Sequence, residues 1–121
     1  MASKVVEYKQ LAVSLGATVR TTALNVLLAE RIGYALRTSG TAVGDWTVQY
    51  SNDYDPAVDD PTVDTKWDTY TLTSTIPSAA GVAQTFGVVL DDYEYKYVRI
   101  KFTRTSGTGS LDIFCTLKGS Y

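Results

Sequence analysis

The sequence contains no histidine and only one cysteine among its 121 residues. Without imidazole there is no usual general base at neutral pH, no common zinc ligand and no histidine-based triad. Cys115 has no partner within the chain, so no internal disulfide and no oxidising compartment are required. It sits between Phe114 and Thr116, with no neighbour in sequence to lower its pKa. It is expected to be a buried structural thiol. Ser-x-x-Lys, Gly-x-Gly-x-x-Gly and Walker loops do not occur. No apolar run approaches the roughly 18 residues of a membrane span, and no signal-peptide order is expected at the start.

A basic stripe is also missing. The formal net charge is -2, and Asp53, Asp55, Asp59, Asp60, Asp64 and Asp68 face a single Lys66 between residues 53 and 68. A nucleic-acid backbone would be repelled there, so no nucleic acid is expected as a partner. Lys96, Arg99, Lys101 and Arg104 form the densest positive region. Arg99 and Lys101 share one face of an extended strand, read here as a solvated sheet face.

What is present is the pattern of an antiparallel sheet. Ser39-Gly40-Thr41-Ala42-Val43-Gly44 leads into Trp46 to Asp53, and Thr105 to Ser110 leads into Leu111 to Leu117. Each is a glycine turn between extended runs, read as a hairpin. Period-two alternation places Trp46, Val48 and Tyr50 on one face, as it does Val98, Ile100 and Phe102, and Leu111, Ile113, Cys115 and Leu117. Strands are also expected near 4–15, 18–22, 32–38, 67–73 and 85–90. From Leu11 onward, Val13 and Leu15 follow at a spacing of two. Ala23 to Arg31 is the only helix-compatible stretch, and it fits a short helical turn or a bulged strand equally. Trp46, Trp67, Tyr50 and Phe102 are expected to fill the core. The chain therefore reads as one all-β domain over 1–121. Its expected form is an antiparallel two-sheet β-sandwich, jelly-roll-like, with seven to nine strands.

Two sets of residues are candidate sites. The loop Asp53 to Thr65 is the only plausible cofactor site, since Asp53, Asp55, Asp59 and Asp60 are hard oxygen donors of the kind calcium takes. Its spacing misses the EF-hand pattern, so a solvated loop or a subunit contact competes with calcium, and no cofactor is assigned. Asp91, Asp92 and Glu94 form a weaker acidic group. Tyr93, Tyr95 and Tyr97 alternate along the approach to one strand and, with Trp67, would form a binding surface if exposed. No carboxylate pair is marked for glycoside hydrolysis, and no enzyme is expected.

The ordered series resembles a known group. Tyr34-Ala35-Leu36-Arg37, Ser39-Gly40-Thr41 and Trp46 to Asp53 come first. Trp67-Asp68, Tyr97-Val98-Arg99-Ile100, Ser106 to Leu111 and Lys118-Gly119 follow. Over residues 32–119 this is similar to small β-sandwich virion structural proteins of tailed bacteriophages. The resemblance implies a virion location and a capsid decoration or fibre-associated role. It implies a homo-oligomer, with a trimer favoured, and contacts to capsid or other virion proteins. Decoration is preferred because the chain is short and has no coiled-coil or collagen-like stalk. The N-terminal strand of residues 4–15 is the candidate contact, because a terminal strand is readily lent to a partner. The rival is a carbohydrate- or receptor-binding module built on the tyrosines, with calcium in the aspartate loop.

Overall fold

The computed structural model describes residues 4–70, 79–91 and 95–119. Ten strands are described: β1 (Lys4–Ser14), β2 (Val19–Arg20), β3 (Leu24–Asn25), β4 (Ala29–Gly40), β5 (Val43–Ser51), β6 (Asp68–Tyr70), β7 (Ala79–Ala80), β8 (Gln84–Asp91), β9 (Tyr97–Ser106) and β10 (Gly109–Gly119). One sheet has the order β1-β10-β4-β8. The other runs β2-β9-β5-β6, with β3 also on β9 and β7 also on β5. Every pairing is antiparallel. Each sheet is therefore four strands wide, because β2 with β3, and β6 with β7, divide the two edges of the second sheet.

The connectivity is that of a jelly roll: the chain is one long hairpin, rolled up. β1 pairs with β10, β2 and β3 with β9, β4 with β8, and β5 with β6 and β7. The cross-pairings β10–β4 and β9–β5 close the roll. Apolar residues at period two line the interior. Ile32, Tyr34, Leu36, Leu111, Ile113, Cys115 and Leu117 come from the first sheet, and Trp46, Val48, Val98, Ile100 and Phe102 from the second. Phe102 lies against Trp46, with ring centroids 4.7 Å apart.

The two glycine turns are not hairpins. β4 and β10 lie in the first sheet, β5 and β9 in the second, so each turn carries the chain across the sandwich. The arches sit side by side. Thr41 N–H donates to the Thr108 carbonyl at 2.7 Å, and the Ser39 and Ser110 hydroxyls are 2.9 Å apart. Their glycines are needed for that approach. Gly107 has φ +75°, and a Cβ there would overlap the Thr41 carbonyl.

Two local expectations change. Ala23–Leu28 forms no helix: β3 is followed by a turn in which Leu27 N–H bonds the Asn25 side chain and Ala29 N–H bonds the Val26 carbonyl. In β1, a bulge between Gln10 and Val13 separates Leu11 from the inward set. Ala12 adopts φ 55°, and its N–H donates to the Asp112 carboxylate at 2.9 Å. The extra residue changes the alternation, leaving Leu11 exposed while Leu15 is buried.

Candidate functional site

The segment between β5 and β6 folds back over the outer face of the second sheet. Alternation places Gln49, Arg99 and Lys101 on that face, and Gln49 is the register partner of Arg99. The loop covers them. Arg99 is only 1% exposed, a correction to the solvated face expected for it. Each nitrogen of its guanidinium donates a hydrogen bond. Nε donates to Gln49 Oε1 at 2.8 Å, Nη1 to the Pro61 carbonyl at 2.7 Å and Nη2 to Asp64 Oδ1 at 2.8 Å. The Trp67 ring stacks 4.0 Å from the guanidinium carbon, a cation–π contact in a desolvated setting.

Asp64 is the hub. Arg20 grips both its oxygens, at 2.7 and 2.8 Å, in the bidentate geometry that guanidinium favours. Lys101 Nζ reaches Oδ2 at 2.5 Å, and Gln49 Nε2 lies 3.4 Å from Oδ1. The Arg20 hydrogen bonds, aided by Lys101 and Gln49, hold the Asp64 carboxyl far below the usual carboxylate range despite its partial burial. Burial pulls the Arg99 pKa down, opposed by Asp64. A carboxylate with its lone pairs committed to cations is a poor base. The cluster fixes a loop to a sheet.

The four aspartates singled out for calcium do not converge. Asp59 Oδ2 accepts from Asp55 N–H at 2.7 Å and from Lys66 Nζ at 3.0 Å. Asp55 Oδ1 accepts from Ala57 N–H, and Asp60 Oδ1 from the Thr62 N–H and hydroxyl. Asp53 Oδ1 accepts from the Ser51 hydroxyl. These carboxylates close local turns, and among the described residues no group of three acidic, cysteine or histidine side chains is placed to share a metal ion. Millimolar calcium should therefore leave the melting temperature within about 1 °C of its value in chelator, since a ligand that binds the folded state raises it. A rise of several degrees, read by differential scanning fluorimetry, would restore the calcium loop.

The aromatic surface is divided. Tyr95 stacks on Tyr50 at 3.7 Å and meets the edge of Tyr70 at 5.8 Å; Tyr50 and Tyr70 themselves pack against the core. Tyr97 meets Tyr54 at 5.4 Å, and Tyr54 lies 5.1 Å from Trp67. Tyr95 precedes the start of β9, so the expected alternation with Tyr97 does not hold. Trp67 is 8% exposed and lies on Arg99 rather than in the core between the sheets, so it offers no open ring face. Tyr93 lies outside the described residues, as do Asp92 and Glu94.

Cys115 is buried, and burial pushes its thiol up to about 12, with the Tyr34 hydrogen bond opposing weakly. It lines a cleft of ≈ 120 Å³ with Tyr8, Gln10, Thr21, Leu24 and Tyr34. At pH 8 a thiol reagent should label the folded protein about a hundredfold or more slowly than the urea-unfolded chain. Equal rates would place the sulfur within reach of solvent.

Reasoning from sequence missed the Arg20–Asp64–Arg99–Lys101 cluster. Asp64 was visible only as one of several aspartates, and nothing in the spacing distinguishes it.

No family model matches the sequence, and no curated protein matches it. Among solved structures, the chain is similar to one from Bacillus endospore appendages, a family of disulfide-linked pili. That likeness has 17% identity and a TM-score of 0.38, covering 98% of this chain and 88% of the other. It is also similar to a chain from the Gx strain of infectious bursal disease virus, at 12% identity and a TM-score of 0.44. There the match covers 97% of this chain but only 32% of the other.

Proposed function

We propose that this protein is a structural component of a virion, acting as a capsid decoration protein of a tailed bacteriophage through protein–protein contacts. The observation that carries the reading is the difference between its two sheet faces. The outer face of the second sheet is strapped by its own loop, with Arg99 and Gln49 buried beneath. The outer face of the first sheet carries the small residues Gly33 and Ala35 on β4 and Gly87 on β8. Lys9, Phe114, Ala35 and Gly87 lie in register across it, and a Cβ at Gly33 would meet nothing within 4 Å. Phe114 is 36% exposed on that face, with Arg37 over its ring. A jelly roll with one sheet face strapped and the other presenting small residues beside an exposed aromatic ring suits lateral contact with a larger assembly. Jelly rolls recur in viral capsid and lectin domains, so the fold supports such a role without assigning it. The series of turns resembling phage virion proteins favours the virion.

The test is immunogold electron microscopy. Antibody against the purified protein is applied to phage particles released by induction from cells carrying its gene. Label spread over the heads is the expected result. Label confined to tails or fibres would move the protein elsewhere in the virion, and unlabelled particles would overturn the virion role.

A further inference from the structure

We infer that the N-terminal strand is a homodimer contact, in which β1 pairs with β1 of a second copy about a two-fold axis at Tyr8. The inference goes beyond the virion role and does not depend on it. Among the described residues β1 pairs only with β10, so its other side is a sheet edge. From Lys4 to Gln10 the pairing with β10 is unbroken, and the bulge that ends this flat stretch begins only after Gln10. Val5, Tyr8 and Leu11 are 58%, 48% and 53% exposed, which puts three large apolar side chains on one edge strand. Edges of this kind are templates for another strand unless blunted by charge, proline or distortion.

The charges here do not blunt the edge: they select a partner. Opposed residues of an antiparallel pair share a face, so a two-fold axis must pass between two copies of one residue. An axis at Glu7 sets Glu7 against Glu7, and an axis at Lys9 sets Lys9 against Lys9. An axis at Val6 puts Glu7 opposite Val5. Only the axis at Tyr8 places Glu7 opposite Lys9, and it does so twice. The same register sets Tyr8 against Tyr8 and Val6 against Gln10, and it ends where the bulge begins. The Glu7–Lys9 and Tyr8–Tyr8 pairs are cross-strand pairs of the kind that stabilises sheets. Glu7 and Lys9 are both exposed, so neither charge is buried in the isolated chain. β8, the other edge of this sheet, carries no charged residue from Gln84 to Leu90 and so has no comparable register signal. The dimer would join two four-stranded sheets into one of eight, a twofold arrangement distinct from the trimer expected from the resemblance.

The experiment measures the mass of the purified full chain by light scattering and its dimer dissociation constant by sedimentation. Wild type should have twice the 13.2 kDa chain mass. Glu7→Lys and Lys9→Glu each turn both cross-strand pairs repulsive and should each raise the dissociation constant about tenfold or more. Mixing the two variants should restore the dimer, because each then supplies the charge the other needs. The double variant should dimerise alone. All four proteins should keep the same circular dichroism and melting temperature as monomers. A monomeric or trimeric wild type would overturn the inference. So would a dimer indifferent to either substitution, or two variants that stay apart when mixed.

Discussion

Replacing Asp64 with asparagine should cost about 3–5 kcal/mol of folding stability and lower the melting temperature by about 10–20 °C. The loss comes mainly through Arg99. That guanidinium is almost wholly buried and cannot return to water when its carboxylate disappears. Arg20 and Lys101 are partly exposed and can re-solvate, so they contribute less. Thermal and urea unfolding would measure the loss. A value under about 1 kcal/mol would mean that Asp64 behaves as an ordinary surface partner. Adding Arg99→Met should recover part of the loss, because a buried charge without a partner costs more than no charge.

The same carboxylate sets an acid limit. Its folded pKa lies below its unfolded value, so its contribution is fully present above about pH 5 and is lost as the pH falls through the unfolded value toward the folded one. The urea midpoint of the wild type should hold from pH 7 to 5 and then fall. Asp64→Asn should start lower and fall less steeply. Asp59 and Asp60 are also held low by hydrogen bonds, to the Asp55 amide and Lys66 and to Thr62 respectively, so part of the slope remains in the variant.

Trp67→Ala should be nearly as damaging, at about 3–5 kcal/mol, the range for deleting a buried aromatic side chain. The ring roofs Arg99 and packs on Tyr54, so its removal opens the ion cluster to water and leaves the loop without its apolar anchor. Trp67→Phe should retain a larger share of the stability, since a smaller ring still covers the guanidinium. The variant also separates two roles. If Trp67 served as a sugar platform, the alanine protein would fold normally and lose only ligand binding.

Strand identity was legible wherever alternation was uninterrupted. β9 and β10 show their inward sets directly in Val98, Ile100 and Phe102, and in Leu111, Ile113, Cys115 and Leu117. Alternation says which residues face inward but not which sheet holds them. The glycine turns at Gly40 and Gly107 were legible as turns because their positive φ needs that residue. Their direction was not, because it follows from the contact of one arch with the other, about seventy residues away. Arg99 was misread for a related reason. Its parity is outward, and only the loop folding back over that face makes the position interior. Tyr95 lies just outside regular strand, where parity fails, which scattered the expected aromatic row. In the aspartate run, carboxylates that close turns look the same in sequence as carboxylates that could hold an ion.

The rolled-hairpin connectivity implies an order of assembly. Along the two arms of the rolled hairpin, the pairings nearest in sequence are those of β5 with β6 and β7, followed by β4 with β8, then β3 and β2 with β9, and last β1 with β10. Each step closes a longer loop, yet its entropy cost is reduced by the step before it. The chain should zip from the aspartate loop toward its ends, at the slow rates of folds dominated by distant contacts. Lys4 and Gly119, cross-strand partners in the finished protein, would then be among the last residues to meet and the first to part in hydrogen exchange.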